Sequence, residues 1–428
     1  MRQMKDSGTQ GIGLIPQSWD SKQLGVFFSE NRKANSYLES VTALQFKYGE
    51  IIQKPNNGRD LSDKDKELLS KYTVINPGDV VVNGLNLNFD LKSLRIAIAR
   101  ENGIITSAYI VLRPRKGVNP EYYNYLLKAL DFQKILHGMG EGIRLTLSYD
   151  ELKKLNVPAP DAAIQTAIVS YLDTKCGEID SLIALQEQMI EKLKAYKQSI
   201  ITEAVTKGLD PNAKLVPSGI DWIGEIPEGW KVVPLKWILR KPLQYGANES
   251  GIPFDESLPR YVRITDILNN NLREDLQKQS LTEEQANGYI LEDNDILFAR
   301  SGGTVGKAFI YESKYGRCAF AGYLIRAQIN SHNDSKYIYY YTQSSSYDEW
   351  KKRIFIQATI QNIGADRYSI LEIPIPPLSE QQAIAAYLDE KCADIDRLIT
   401  LKQQKIEALK DYKKSVIYEA VTGKTEIV

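Results

Sequence analysis

A catalytic reading of this chain would begin at SGGTVGKAF, residues 301–309, because glycines followed by a lysine can cradle phosphate groups. The spacing does not serve. A phosphate loop follows Gly-x-x-x-x-Gly-Lys-Ser/Thr, whereas here three residues separate Gly302 from Gly306, and Ala308 stands where a hydroxyl would hold Mg²⁺. The other glycine cluster, GMGEG at 138–142, leads into an apolar strand-like run instead of a helix, so it does not read as a dinucleotide or S-adenosylmethionine site. The two histidines, His137 and His332, are too few for a histidine-based metal centre or general base and read as surface or turn residues.

Composition narrows the class further. With 428 residues, 43% of them hydrophobic and 25% charged, the chain reads as two or three globular domains. The opening MRQMKDSGTQ does not resemble a signal peptide, and no apolar run reaches the length of a membrane helix, so a cytoplasmic protein is expected. Three cysteines suit a reducing compartment, with Cys176 and Cys392 as packing residues. Charge balances at 54 against 54; residues 1–160 carry 22 Lys+Arg and 17 Asp+Glu, a net of +5, and residues 211–378 carry 19 and 20, a net of −1. A nucleic-acid partner would therefore need cations gathered on one face.

The organising feature is a stretch that occurs twice. Residues 164–208 and 380–424 match at about 25 of 45 positions with a constant offset of 216, an internal duplication. Each copy has the period of a helix. Ile395, Leu398, Ile399, Ile406, Leu409, Tyr412, Val416 and Ala420 fall at heptad a, d and e positions, matched by Ile179, Leu182, Ile183, Ile190, Leu193, Tyr196, Ile200 and Ala204. Gln186 and Lys402 put a polar residue at the same a position, which fixes register. Ser379 with Gln382 reads as a capping box. A 40-residue helix is ~60 Å long, a spacer as well as a core. Two equivalent units in one chain behave like a covalent dimer, and a two-fold makes the helices antiparallel, with the segments preceding them at opposite ends.

The duplication reaches beyond the helices. Ser7, Gly8, Ile12, Gly13, Ile15, Pro16, Trp19 and Leu24 recur at offset 211 as Ser218, Gly219, Ile223, Gly224, Ile226, Pro227, Trp230 and Leu235. Strand signals follow at 77–83 and 293–300, then at 108–114 and 322–328, then a Tyr-rich helix at 121–130 and 336–343. Each unit closes on an extended Pro-containing exit, VPAP at 157–160 and IPIPP at 373–377. Between these landmarks the halves diverge. A shared frame with differing inserts points to one task performed on two targets.

The IG.IP..W opening, the IPIPPLSEQQAIAAYLDEKCADID junction and the helix ending in EAVTGK resemble the DNA specificity subunits of type I restriction-modification systems. The first copy departs from that pattern at its junction, PAPDAAIQTAI, and at its end, TKG. The resemblance implies an α+β protein: two similar α/β target-recognition domains separated by a long antiparallel two-helix coiled coil, a pseudo-two-fold repeat. The divisions are 1–160 and 211–378 for the recognition domains and 161–210 and 379–428 for the helices. It also implies double-stranded DNA as ligand, with each domain reading half of a bipartite site. Two methyltransferase (modification) subunits and the restriction (motor/nuclease) subunits are the implied partners. Those partners would carry S-adenosylmethionine, ATP and Mg²⁺, leaving this chain without cofactor, metal or catalytic role. No Asn-Pro-Pro-Tyr or Asp-Pro-Pro-Tyr, the mark of an adenine methyltransferase, occurs here.

Base edges are read by Arg, Asn and Gln, and phosphates are held by Arg and Lys. The candidates are Asn83, Asn86, Asn88, Lys92, Arg95 and Arg144 in the first domain. In the second they are Tyr245, Arg263, Arg300, Ser301, Thr304, Lys307, Gln357, Thr359 and Gln361. Tyr171, Asp173, Tyr387 and Asp389, polar identities repeated outside the seam, are candidates for docking a methyltransferase. Two other readings fit the same chain: a coiled-coil adaptor without a DNA role, and a fused enzyme whose catalytic site escapes these motifs.

Overall fold

The computed structural model describes residues 3–427 except 10, 48, 56–61, 88–93, 141–144, 269–270 and 357–361. The chain divides into two compact units, Met1–Glu187 with Gln403–Val428, and Gln188–Lys402. Both long helices cross that division, so each unit contains the first half of one and the second half of the other.

In the first unit a four-stranded antiparallel sheet is built from β1 (Phe28–Glu30), β2 (Val80–Val82), β3 (Ile96–Ile98) and β4 (Ile110–Pro114), in the order β1-β4-β2-β3. Helix α1 (Pro120–Phe132) follows, started by Asn119, whose side chain accepts from Glu121 and Tyr122 N–H, with Pro120 at the first turn. Then comes α2 (Ala162–Lys207), 46 residues long. The second unit repeats the plan with β5 (Gln244–Tyr245), β6 (Ile296–Ala299), β7 (Ala308–Ile310) and β8 (Leu324–Ala327) in the order β5-β8-β6-β7. After it stand α3 (Ser335–Tyr341), capped by Asp334, and α4 (Leu378–Val421), 44 residues.

Why the frame tolerates different inserts follows from the strand pattern. Side chains alternate faces along a strand, and an unbroken apolar run such as VVV means both faces are covered. Val80 and Val82 join the core that includes α1 and the long helices, while Val81 packs into a separate cluster with Leu44, Ile75 and Ile105 from the insert. Ile296 and Phe298 likewise face the shared frame, and Leu297 and Ala299 face Val262, Phe309 and Phe320. One face is common to both units; the other is free to differ. The inserts differ accordingly: two two-stranded sheets (Leu44–Lys47 with Glu50–Gln53, and Thr73–Ile75 with Gly103–Ile105) in the first unit, and a mixed four-stranded sheet in the second.

The repeated opening motif is a β-hairpin. Met4–Asp6 pairs with Leu14–Pro16, and Leu215–Pro217 with Glu225–Pro227. Gly8 and Gly13, then Gly219 and Gly224, adopt positive φ of 69–79°, which is why glycine recurs there. The Pro-containing exits are strands, Asn156–Ala159 on Asp20–Gln23 and Glu372–Ile375 on Lys231–Pro234. Gly208 after α2 and Gly423 after α4 take positive φ as helix-ending glycines do. Each lies against a hairpin tryptophan, Gly208 at Trp230 and Gly423 at Trp19.

Within each unit the helix halves run antiparallel. In the first, Ile168, Leu172 and Cys176 share a core with Val416, Ile417, Ala420 and Val421. In the second, Ile201, Ala204 and Val205 share one with Ile384, Leu388 and Cys392. The seam departs from expectation at four positions: Leu182, Tyr196, Leu398 and Tyr412 are 43%, 59%, 45% and 58% exposed. Their neighbours Ile183, Lys197, Ile399 and Lys413 take the inward places. Lysine suits such a place because its stem packs on apolar surface while its ammonium reaches a carboxylate at the rim. The expected capping box is also replaced. No bond joins Ser379 and Gln382 among the described residues; instead buried Gln381 donates to Pro376 O and Asn333 Oδ1 and accepts from Asp334 N–H. Gln165 makes the equivalent bond to Pro160 O.

Candidate functional site

In both units the central strand of the sheet runs out into a loop belonging to the divergent part, after β2 at residues 83–87 and after β6 at 300–307. The second loop is a hairpin connection, with Gly302 and Gly306 at φ of 79° and 81°, and Ala299 N–H donating to Lys307 O. Its geometry is that of a strand turn. Arg300 follows the end of β6, its N–H donating to Tyr323 O and its carbonyl accepting from Ile363 N–H. Its guanidinium carbon lies 4.9 Å from the Tyr245 ring centroid. Ser301 bridges to Asn362, Thr304 is half-buried and Lys307 is exposed.

Beside this loop is a groove of about 690 Å³ lined by Asn248, Tyr261, Arg263, Thr265, Gln279 and Tyr323, among others. Arg263 is less free than its sequence position implied, because Asp266 binds it through both carboxylate oxygens and Gln277 O takes a third bond. That carboxylate holds the arginine's pKa above its ordinary value. A second hollow, about 430 Å³, is lined by Lys236, Arg240, Lys241, Ala365 and Asp366. Asn248, Gln279, Tyr323, Lys236 and Lys241 are absent from the sequence candidates. The sequence pattern puts Tyr323 in the strand signal at 322–328; in the structure it lies at a turn, 63% exposed.

The first unit corrects one candidate outright. Arg95 is 1% exposed, and its guanidinium donates to the carbonyls of Asn83, Leu85 and Asn86. It holds the loop from beneath instead of reaching outward, since buried carbonyls require donors. Asn83 is half-buried, its side chain accepting from Leu85 N–H, and Asn86 is exposed at φ 50°. Asn88, Lys92, Arg144, Gln357, Thr359 and Gln361 lie outside the described residues.

The docking candidates have partners in their own units. Asp173 accepts from Tyr125 OH at 2.7 Å; Asp389 accepts from Tyr340 OH at 2.7 Å and from Lys336 at 2.6 Å. Tyr171 and Tyr387 are half-buried beside the cores. What the helices leave uncovered is a second apolar rank: Leu182, Leu185, Met189 and Tyr196 on α2, and Leu398, Leu401 and Tyr412 on α4, all between 38% and 59% exposed. These repeat at three- and four-residue steps and multiples of them, the spacing of a further helix-packing face.

The model of the type I restriction modification DNA specificity domain matches residues 227–411. That stretch runs from the end of the second hairpin through the sheet, the loop after β6 and most of α4. Over nearly its whole length the chain is similar to type I restriction-modification specificity subunits. It is 24% identical to the putative MjaX specificity subunit of Methanocaldococcus jannaschii, over 97% of this chain and 96% of that protein. It is 23% identical to the StySPI specificity subunit of Salmonella potsdam, over 96% and 90%. The EcoKI specificity subunit of Escherichia coli is 31% identical over 47% of this chain and 44% of that one. Among solved structures, a chain from a study of complex assembly and conformational transition of the type I R-M system superposes with TM-score 0.71 at 16% identity, covering 96% of this chain and 99% of that chain. The HsdS subunit from Thermoanaerobacter tengcongensis gives 0.51 at 16% identity, covering 96% and 98%. These two share the fold. Among the described residues, no helix is long and apolar enough to cross a membrane.

Proposed function

We propose that this chain is the DNA-reading subunit of a type I restriction-modification complex, each recognition domain binding one half of a bipartite duplex site. The observation that carries this is the pair of matching sheets whose central strands end in unrelated loops: one frame holds two different reading surfaces. Lysines such as Lys236, Lys241 and Lys307 supply phosphate contacts that orient the domain, while Asn86, Arg300, Ser301 and Thr304 supply base contacts, with Tyr245 supporting Arg300. Asn88 and Lys92 continue the first of these loops in sequence, and Arg144 and Gln357, Thr359 and Gln361 belong to two further divergent stretches with the same residue types.

The helix pair sets the spacer between half-sites. Joining two modest binders by a stiff element raises affinity only where the spacing fits. Two methyltransferase subunits dock along it, using the outer apolar rank together with Tyr171, Asp173, Tyr387 and Asp389, and the restriction subunits join that complex. Methyl transfer and ATP-dependent cleavage reside on these partners, which bring S-adenosylmethionine, ATP and Mg²⁺; this chain is non-catalytic and works in the cytoplasm.

The test is to map methylated bases in DNA modified by the assembled complex, before and after inserting one helical turn into both α2 and α4. A two-part asymmetric site whose spacer changes while both half-sites persist is the expected result. A single uninterrupted site, or an unchanged spacer, overturns the reading. Duplex affinity that stays flat as salt rises favours a protein adaptor instead, because phosphate contacts release counterions.

A further inference from the structure

Arginines in the second unit are, with few exceptions, matched by carboxylates: Arg240 by Glu292, Arg260 by Glu274, Arg263 by Asp266, Arg273 by Asp275, Arg317 by Glu283 and Arg326 by Asp295. Arg300 is different. Among the described residues no carboxylate pairs with it, and none of their groups bonds its buried Nε. What holds it is a ring. Tyr245 lies 4.9 Å from its guanidinium carbon, and that ring is fixed in turn, since Tyr245 OH accepts from Ala365 N–H at 2.9 Å and the residue is paired in β5 with Ile325. The backbone of Arg300 is pinned on both sides, to Tyr323 O and from Ile363 N–H.

A guanidinium restrained against an aromatic face keeps its plane, and with it the direction of its N–H fork. With Nε covered, the terminal Nη groups are the donors left for a ligand. A phosphate does not require a fixed plane, and the exposed lysines Lys236, Lys241 and Lys307 supply flexible cations for that purpose. A guanine does require one, because its O6 and N7 accept two bonds side by side in the plane of the base.

We infer that Arg300, oriented by Tyr245, reads a guanine in the half-site bound by the second recognition domain. The inference rests on the DNA-reading function proposed above and adds the base and the residue. Arg300 is the contact, and Tyr245 acts through it as a positioning residue.

The experiment uses the full chain assembled with its methyltransferase partner, whose preferred site is established first. Duplexes with each base pair of that site replaced in turn are compared for wild type, R300K, R300A and Y245L, with thermal unfolding of each variant as the folding control. R300K keeps the charge and loses the fork. The expected result is a loss of discrimination by roughly ten- to a hundred-fold at one G·C pair in one half-site, with the other half-site read as before. Y245L gives a smaller loss at the same pair. A uniform drop across all duplexes with a shallower salt dependence would mean a phosphate contact and would overturn the inference, as would an unchanged base preference. If the wild-type complex shows no two-part preference, the functional reading fails and this inference with it; if wild type shows one and R300A keeps it, this inference alone fails.

Discussion

Lys413 on the last helix holds Asp180 on the first, its ammonium 2.7 Å from both carboxylate oxygens. Subtracting the repeat offset of 216 from Lys413 and adding it to Asp180 gives Lys197 and Asp396, and these two also meet, at 2.8 and 2.6 Å, in the other unit. The exchange of roles between helices is what an antiparallel pairing of duplicated sequences requires. Partly exposed pairs of this kind contribute little each, about 0.2–1 kcal/mol. Reversing one charge, D180K, is expected to lower the unfolding midpoint, and the double variant D180K/K413D to recover most of the loss. Thermal unfolding of the cycle measures it; a double variant no better than the sum of the singles would show the pair uncoupled.

Tyr122 and Tyr337 are both fully buried and make matching bonds. Tyr122 OH reaches Pro158 O and Val421 O; Tyr337 OH reaches Pro374 O and Val205 O. Each hydroxyl thus ties its unit's exit strand to the last turn of a long helix. Burial raises both phenol pKa values well above the usual range, so they remain neutral donors. Y122F and Y337F should each cost about 1–3 kcal/mol, because carbonyls are left buried without that donor. Denaturant unfolding checks this, and a loss below a few tenths would show the carbonyls satisfied by other means.

Gln381 and Gln165 occupy the same place at the starts of the long helices but differ in load. Gln381 makes three bonds and Gln165 one among those described. Q381A is therefore expected to destabilise by about 1–3 kcal/mol and Q165A by distinctly less. Equal losses would indicate that shape, and not the extra bonds to the Asn333–Asp334 turn, sets the cost.

Burial pushes the thiols of Cys318 and Cys392 up to about 11, and raises that of Cys176. A raised thiol pKa means less thiolate at a given pH, so at pH 8 all three should alkylate slowly in the folded chain and at least about tenfold faster in denaturant. Counting labels by mass spectrometry over time decides it. Native-state labelling at the unfolded rate would contradict their placement in the cores.

On the outer rank, Leu185 and Leu401 are 49% and 54% exposed. L185K with L401K should change the chain's own unfolding by less than about 0.5 kcal/mol, as surface substitutions do. The same double variant should weaken assembly with the methyltransferase at least about tenfold, measured by titration in analytical ultracentrifugation. Undiminished assembly would place the docking surface elsewhere.

Much of this architecture was legible in the residues themselves. A duplicated heptad, paired glycine hairpins and repeated apolar runs specify helix, hairpin and buried strand through local geometry, and two-fold symmetry of the duplicated units leads to an antiparallel pairing. Side-chain direction was not legible. Leu182 and Ile183 are adjacent and equally apolar, and only packing against the second helix turned one inward and left the other out. Arg95 and Arg300 are both arginines beside loops that leave a sheet. Three inward carbonyls drew the first beneath its loop, and an aromatic face, with no carboxylate paired to it among the described residues, holds the half-buried second. Sequence periodicity determines which elements form, because the rules linking residue to helix or strand are local; where an arginine points depends on groups brought to it from far along the chain, and tertiary structure alone supplies those.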